Sequence, residues 1–276
     1  MLYQGDTEMT DIRDTLFATI SERKYRAVLT PERDGILSGV DDAMKAAAEL
    51  GVIWQSTYKE GDALKTGIPF AALIAYPKEI AEAEEKIIGT LAKASGIATA
   101  ARLAVTVAAG KVEIISGSWK KMPPCLKMQV RRAVITGGAQ FRICEPPMLY
   151  IDKNFVRMLG SVAEALRAAS AIQDTQKIVQ LRGELASIAE ETRQAIQGGA
   201  NILMVDTGRV KDAQECLQEL EARHCRQQVK VAFAGNVHIA DISAMIKLGI
   251  DKLCIGKDIV DAGLLDMKLD VVEETK

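Results

Sequence analysis

Asp206 ends a strand-like run, Asn201-Ile202-Leu203-Met204-Val205, apolar from Ile202 onward. A carboxylate at the end of a buried strand is placed to bind a metal ion or sugar hydroxyls. The same residue type also serves as a helix N-cap or a solvated turn residue; the apolarity of the strand favours the functional use. Two glycine turns follow later strands, Ala234-Gly235-Asn236 and Gly256-Lys257. Glycine lets the backbone approach a ligand closely, and N–H groups at the opening of a helix attract phosphate. On consecutive final strands the pair reads as a phosphate cradle, whereas singly each is an ordinary βα turn. Lys120-Lys121, beside Pro123-Pro124, reads either as a grip on an anionic substrate or as a solvated basic turn. Arg142 follows Gly137-Gly138 and precedes Glu145, so it either binds a carboxylate or phosphate or pairs with that glutamate.

Other chemistry is thinly represented. His224 sits among Arg223 and Arg226, and His238 opens a helix after Asn236, where a histidine caps the helix or faces solvent. Five scattered cysteines without a CxxC pair are neither a disulfide framework nor a zinc site, and read as core fillers in a reducing cytoplasm. P-loop, GxGxxG, GxSxG and HExxH motifs are absent.

The elements that must hold these residues fall into two stretches. Thr10–Ser21 has helical spacing (Ile12, Leu16, Ile20), Tyr25–Leu29 is strand-like, and Val40–Leu50 is a helix closed by Gly51. Val52–Tyr58 and Phe70–Tyr76 read as strands, and Lys78–Ala94 as a helix. The rhythm changes after Ser95-Gly96, the expected domain junction. From there, strands at Val112–Ile115, Met148–Ile151, Ile178–Leu181, Ile202–Asp206, Val229–Phe233 and Leu253–Ile255 alternate with helices. Apolar strands each followed by a helix predict a parallel sheet with right-handed crossovers, here an incomplete α/β barrel. Ligands of such barrels bind at the C-terminal strand ends, where Asp206 and the glycine turns lie.

The 276 residues allow one large or two modest domains. With 35 Lys and Arg against 37 Asp and Glu, the net charge of -2 provides no basic field for a nucleic-acid backbone. The most apolar stretch, 97–110, is interrupted by Arg102, so no membrane span is expected; the polar, acidic start does not read as a signal peptide.

Several segments, in this order, resemble the quinolinate phosphoribosyltransferase family (carboxylating nicotinate-nucleotide pyrophosphorylase, with its ModD-type relatives). Gly5-Asp6-Thr7 resembles the opening of the family, and Arg33 to Gly39 one of its turns. Ser95-Gly96-Ile97-Ala98-Thr99 matches its SGIAT motif outright. Lys121–Leu126, Ala133-Val134, Gly137-Gly138, Asn201–Asp206, Ala234–Val237 and Ile255-Gly256 fall in register with further family segments. The resemblance implies an α/β fold in two domains: an N-terminal α/β sandwich at 1–94, either alone or joined by 264–276, and an incomplete, type II phosphoribosyltransferase-like barrel at 95–263. It also implies a homodimer, with the sandwich of one copy capping the barrel of its neighbour.

The implied chemistry uses 5-phosphoribosyl diphosphate with Mg²⁺: the ring nitrogen of a pyridine dicarboxylate displaces diphosphate, and carbon dioxide is lost. Lys121 takes the place of the essential lysine of the family. Asp206 would bind ribose hydroxyls or metal, and Gly235, Asn236, Gly256 and Lys257 the phosphate. The substrate-binding positions fall on Glu85, Lys120, Arg142, Asp152 and Gln180. At Glu85 the family has arginine, at Asp152 lysine, and near Gln180 a strand-borne glutamate. Opposite charges in a shielded site attract by ~4 kcal/mol at intermediate dielectric, and like charges repel as strongly. These reversals therefore predict a phosphoribosyltransferase of altered base specificity. The alternatives are another phosphate-ligand chemistry on the same scaffold, or a non-catalytic ligand-binding protein.

Overall fold

A computed structural model describes residues 11–275, so the Gly5-Asp6-Thr7 segment lies outside the described residues. By their internal contacts the described residues divide into two compact units: 11–99 together with 263–275, and Ala100–Ala262.

The first unit is a two-layer α/β sandwich. Its strands are β1 (Lys24–Pro31), the two-residue β2 (Gly35–Ile36), β3 (Ile53–Gln55), β4 (Ala63–Leu64) and β5 (Ala71–Ala75). A last strand, Met267–Thr275, had no counterpart among the predicted elements; it pairs antiparallel with the full length of β1. The sheet order is Met267–Thr275, β1, β5, β3. Ala27, Leu29 and Leu73 from the sheet pack against Ala43, Ala47, Ala83, Ile87 and Leu91 from two helices. Small alanines on the helices let them lie close to the strands.

The helix Val40–Glu49 starts without a side-chain cap of its own, because Gly39 stands at its N-cap with φ 90°. The Glu60 carboxylate serves instead, accepting from the N–H groups of Gly39 at 2.9 Å and Val40 at 3.1 Å. The expected N-terminal helix shrinks to one turn, Ile12–Leu16. Its apolar residues Ile12 and Leu16 are exposed, so they provide no burial within this chain to extend it.

The change of rhythm at Ser95-Gly96 is not a break in the backbone. One helix runs from Pro77 to Ala108. By length and composition this helix could cross a membrane, contrary to the expectation drawn from Arg102, but 56% of its most apolar window is buried inside the protein, as in a core helix. The SGIAT residues lie within it and act as a clasp. Ser95 Oγ accepts the Ser38 N–H at 3.0 Å, and Thr99 Oγ1 accepts the Ile36 N–H at 2.9 Å. Gly96 permits a close approach: a Cβ there would stand 2.1 Å from the Gly263 carbonyl oxygen. The glycine is therefore a packing requirement rather than a hinge.

The second unit contains six parallel strands: β6 (Glu113–Ile115), β7 (Met148–Ile151), β8 (Gln176–Leu181), β9 (Ile202–Asp206), β10 (Lys230–Ala234) and β11 (Lys252–Cys254). Their order is β6-β11-β10-β9-β8-β7, and β6 does not pair with β7. The sheet nevertheless curls. Ile115 of β6, Tyr150 and Met148 of β7, Ile178 of β8, Met204 of β9, Ala232 of β10 and Cys254 of β11 share one apolar interior. Side chains two apart on a strand face the same way, so alternate residues fill the barrel and the rest meet the outer helices. The result is an α/β barrel left open between its first two strands. A helix absent from the predicted set, Lys153–Leu159, follows β7 directly.

Candidate functional site

The inward-facing rows end at the C-terminal side of the strands, above a cavity of about 650 Å³. Period-two alternation along β9 carries Ile202 and Met204 into the interior core and brings Asp206 to the rim of the cavity. On β8, which pairs Gln180 with Met204, the same geometry directs Gln180 toward Asp206. The Gln180 amide nitrogen donates to Asp206 Oδ2 at 2.5 Å, and its oxygen accepts the Lys153 N–H at 2.7 Å.

The two nominated glycine turns both border the cavity. Gly235 has φ 108° and Asn236 φ 57°, both in the left-handed region. Gly235 is also pressed against Gly208, where a Cβ would lie 2.3 Å from the Gly208 nitrogen. Gly208 itself had not been singled out in the sequence. At Gly256 a Cβ would stand 2.2 Å from Ser118 Oγ, so the Ser118 hydroxyl covers that turn. Both glycines thus have steric reasons of their own in addition to exposing backbone.

Lys120 and Lys121 lie on a single 3-10 turn, Ser118–Lys121. They border the cavity together with Arg142 and Lys257. Aromatic rings accompany these cations. Lys120 Nζ is 5.2 Å from the centre of the Tyr150 ring, and the Arg142 guanidinium is 4.6 Å from that of Phe141. Trp119 and Phe141 meet edge to face at 6.1 Å, and the Trp119 indole N–H donates to the Phe141 carbonyl at 2.8 Å. Arg131 stacks 3.5 Å above Trp119 from its helix. These aromatics carried no motif, and only the fold assembles them.

Two nominated residues take other roles. Asp152 is the N-cap of Lys153–Leu159: its Oδ1 accepts the N–H groups of Asn154 at 2.7 Å and Phe155 at 3.1 Å. A carboxylate used as a cap is turned to its own helix. Glu85 belongs to the first unit, where its side chain is 66% exposed and lies 3.6 Å from Arg13. Asp152 is not among the residues that line the cavity.

His238, expected only to cap or to face solvent, does cap its turn, but it also lines the cavity. Its Nδ1 is 2.9 Å from Asp258 Oδ1, and its Nε2 is 3.1 Å from the Asn236 amide nitrogen. Burial pushes the Asp258 carboxyl up, but the Ile239 N–H and the His238 ring outweigh it and hold the group below the ordinary aspartate range. Burial pushes the Cys254 thiol up to about 12, with the Asp206 charge adding to the effect. It drives the Tyr150 phenol upward too, so both groups stay protonated and Tyr150 interacts as a neutral hydroxyl.

The donor set does not make a resident metal site. Among the described residues there is no group of three or more His, Cys, Asp or Glu side chains placed to share an ion. Asp206 is a single carboxylate whose Oδ2 already accepts from Gln180 and faces Arg182 Nη1 at 3.5 Å. The expectation of a metal held by Asp206 is not met by these residues.

The open barrel, its rim of cations and its pair of glycine turns define an α/β protein of the type II phosphoribosyltransferase kind. Residues 11–95 match the model for the quinolinate phosphoribosyl transferase N-terminal domain, and residues 97–270 the model for its C-terminal domain. The chain belongs to the quinolinate phosphoribosyl transferase family. It is similar to a probable carboxylating nicotinate-nucleotide pyrophosphorylase of Archaeoglobus fulgidus, 25% identical over 257 residues, covering 92% of this chain and 97% of that protein. Its fold is that of the nicotinate-nucleotide pyrophosphorylase from Francisella tularensis: TM-score 0.81 at 22% identity, covering 97% of this chain and 92% of the other. The corresponding protein of Ehrlichia chaffeensis gives a TM-score of 0.82 at 17% identity, with 96% and 93% covered.

Proposed function

We propose that this chain transfers the phosphoribosyl group of 5-phosphoribosyl diphosphate to the ring nitrogen of an aromatic heterocycle, with a base specificity shifted from quinolinate. The observation that carries the reading is the gathering, around one cavity, of the Gly235-Asn236 and Gly256-Lys257 turns, the Asp206 carboxylate and the cations Lys120, Lys121 and Arg142. The turns and Lys257 hold the sugar phosphate through backbone N–H groups and one ammonium. Asp206 accepts from the ribose hydroxyls and lies near the positive charge that develops on the sugar carbon. Lys121 neutralises the departing diphosphate. The ring nitrogen gives its lone pair to the sugar carbon while the carbon–oxygen bond breaks, and that electron pair leaves with diphosphate. Mg²⁺ enters as the companion ion of the diphosphate substrate.

The base preference is supported by the wall the ring would meet. Trp119, Phe141 and Tyr150 line the cavity, and the cations near them already lie over those rings. Cations engaged with ring faces are less free to close a double ion pair on a dicarboxylate, which favours rings with fewer carboxylates. Diphosphate release from 5-phosphoribosyl diphosphate, measured across pyridine monocarboxylates, dicarboxylates and carboxamides, tests the proposal. Turnover should favour rings with fewer than two carboxylates. Tight calorimetric binding of quinolinate with turnover to match defeats the specificity reading, and no diphosphate release with any base defeats the transfer reading.

A further inference from the structure

Asp206 is the carboxylate on which the family resemblance places a divalent cation, yet its surroundings are already made up by the protein. The Gln180 oxygen accepts the Lys153 N–H at 2.7 Å, which settles how the amide is turned: its NH₂ must face Asp206. A glutamate in this position would have no proton to give and would set two carboxylates side by side, an arrangement that a divalent ion holds together. Arg182, two residues further along the same strand and just past its end, adds a fixed positive charge. Its Nη1 donates to the Asp206 carbonyl oxygen and lies 3.5 Å from Oδ2.

This guanidinium is anchored at both ends. Its Nε lies 3.3 Å from Glu184, which Arg157 grips in turn at 2.5 Å. At its root, the N–H groups of Arg182 and Gly183 each donate at 2.9 Å to the buried Glu191 carboxylate. Arg182 carried no motif, and nothing in the sequence paired it with Asp206.

We propose that Arg182, seated with Gln180 against Asp206, takes the place of a divalent cation at this carboxylate, so that the free protein holds no metal there. Mg²⁺ demands near-octahedral oxygen ligands and gives up water reluctantly. Here one carboxylate oxygen is occupied by an N–H donor, and a guanidinium repels any dication brought to the same side. Arg182 thereby supplies a permanent positive charge beside the carboxylate at the rim of the cavity.

The inference rests on the reading of the cavity as a phosphoribosyl diphosphate site, but its test uses the metal alone, so the two fail separately. Mn²⁺ is titrated into the purified full chain without any substrate, and the free ion is followed by electron paramagnetic resonance. The wild-type chain should leave Mn²⁺ free up to about millimolar concentration. Gln180→Glu combined with Arg182→Ala should gain about one equivalent, lost again when Asp206→Asn is added. Circular dichroism shows which variants fold, and either single substitution replaces the pair if the double one does not. One equivalent bound by the wild-type chain and removed by Asp206→Asn overturns the proposal. So does a failure of every folded variant to gain the ion.

Discussion

Gln180 reaches Asp206 across two paired strands, its amide nitrogen on Asp206 Oδ2 and its oxygen on the Lys153 N–H. One neutral side chain thus ties the end of β8 both to the carboxylate at the rim of the cavity and to the first turn of the helix after β7. Asp206 is held in place by a donor, which leaves its other oxygen to a ligand.

Asp206→Asn keeps the shape of the side chain and removes its charge. If the carboxylate stabilises positive charge on the sugar carbon, kcat should fall by about 10²–10³-fold while the affinity for 5-phosphoribosyl diphosphate changes much less. Steady-state rates of diphosphate release with calorimetric binding separate the two. A loss confined to affinity would reduce Asp206 to a binding residue.

Lys121→Ala removes an ammonium from the border of the cavity, whereas Arg223→Ala removes a guanidinium paired with Glu219 outside it. The first should reduce kcat/KM by about 10²-fold or more, and the second should leave it within about twofold. Equal effects would dissociate the cavity from the chemistry.

Gly96→Ala puts a methyl group 2.1 Å from a backbone carbonyl oxygen, which no side-chain rotation relieves. Urea unfolding should show a loss of about 2–4 kcal/mol. Gly110→Ala is a useful contrast, because it meets nothing within 4 Å but takes φ 72°. Its cost should be about 1–2 kcal/mol, from backbone conformation alone.

Asp258 has a folded-state pKa below its ordinary value. The sign follows from linkage: the charged form is favoured in the folded state, so its stabilisation is complete above the unfolded pKa. It is lost as pH falls from the ordinary aspartate range through the lower folded-state value. Urea midpoints across that window should drop more steeply for the wild-type chain than for Asp258→Asn. Parallel curves would assign the acid lability to other carboxylates.

The Cys254 thiol, pushed up to about 12 by burial and by Asp206, and the Cys216 thiol, pushed up to about 11 chiefly by burial, should not be alkylated in the folded protein near neutral pH. Cys125 is exposed and should react first. Mass spectrometry after iodoacetamide treatment gives the order. Early labelling of Cys254, which lines the cavity, would show that its thiol is not held protonated.

Local pattern alone was enough for much of this protein. Near-continuous apolar strands alternating with helices predicted the six parallel strands, and two of them, Met148–Ile151 and Ile202–Asp206, carry the same bounds in the structure. The glycine turns and Asp206 were legible because strand ends and φ-permissive residues are written locally. Tertiary structure decided everything that depends on a partner far along the chain. Met267–Thr275 is a strand because β1 offers it a ladder; the alternation of Met267, Leu269 and Val271 with Lys268 and Asp270 suits a strand but does not name its partner. Asp152 and Glu85 read as reversed charges in a binding wall, yet one caps a helix and the other meets Arg13, because a side chain's direction is set by its local backbone and its neighbours. Arg182, Gln180 and Asp206 became one unit only when β8 and β9 paired, since hydrogen bonds and ion pairs act over a few ångströms of space and take no account of separation in sequence.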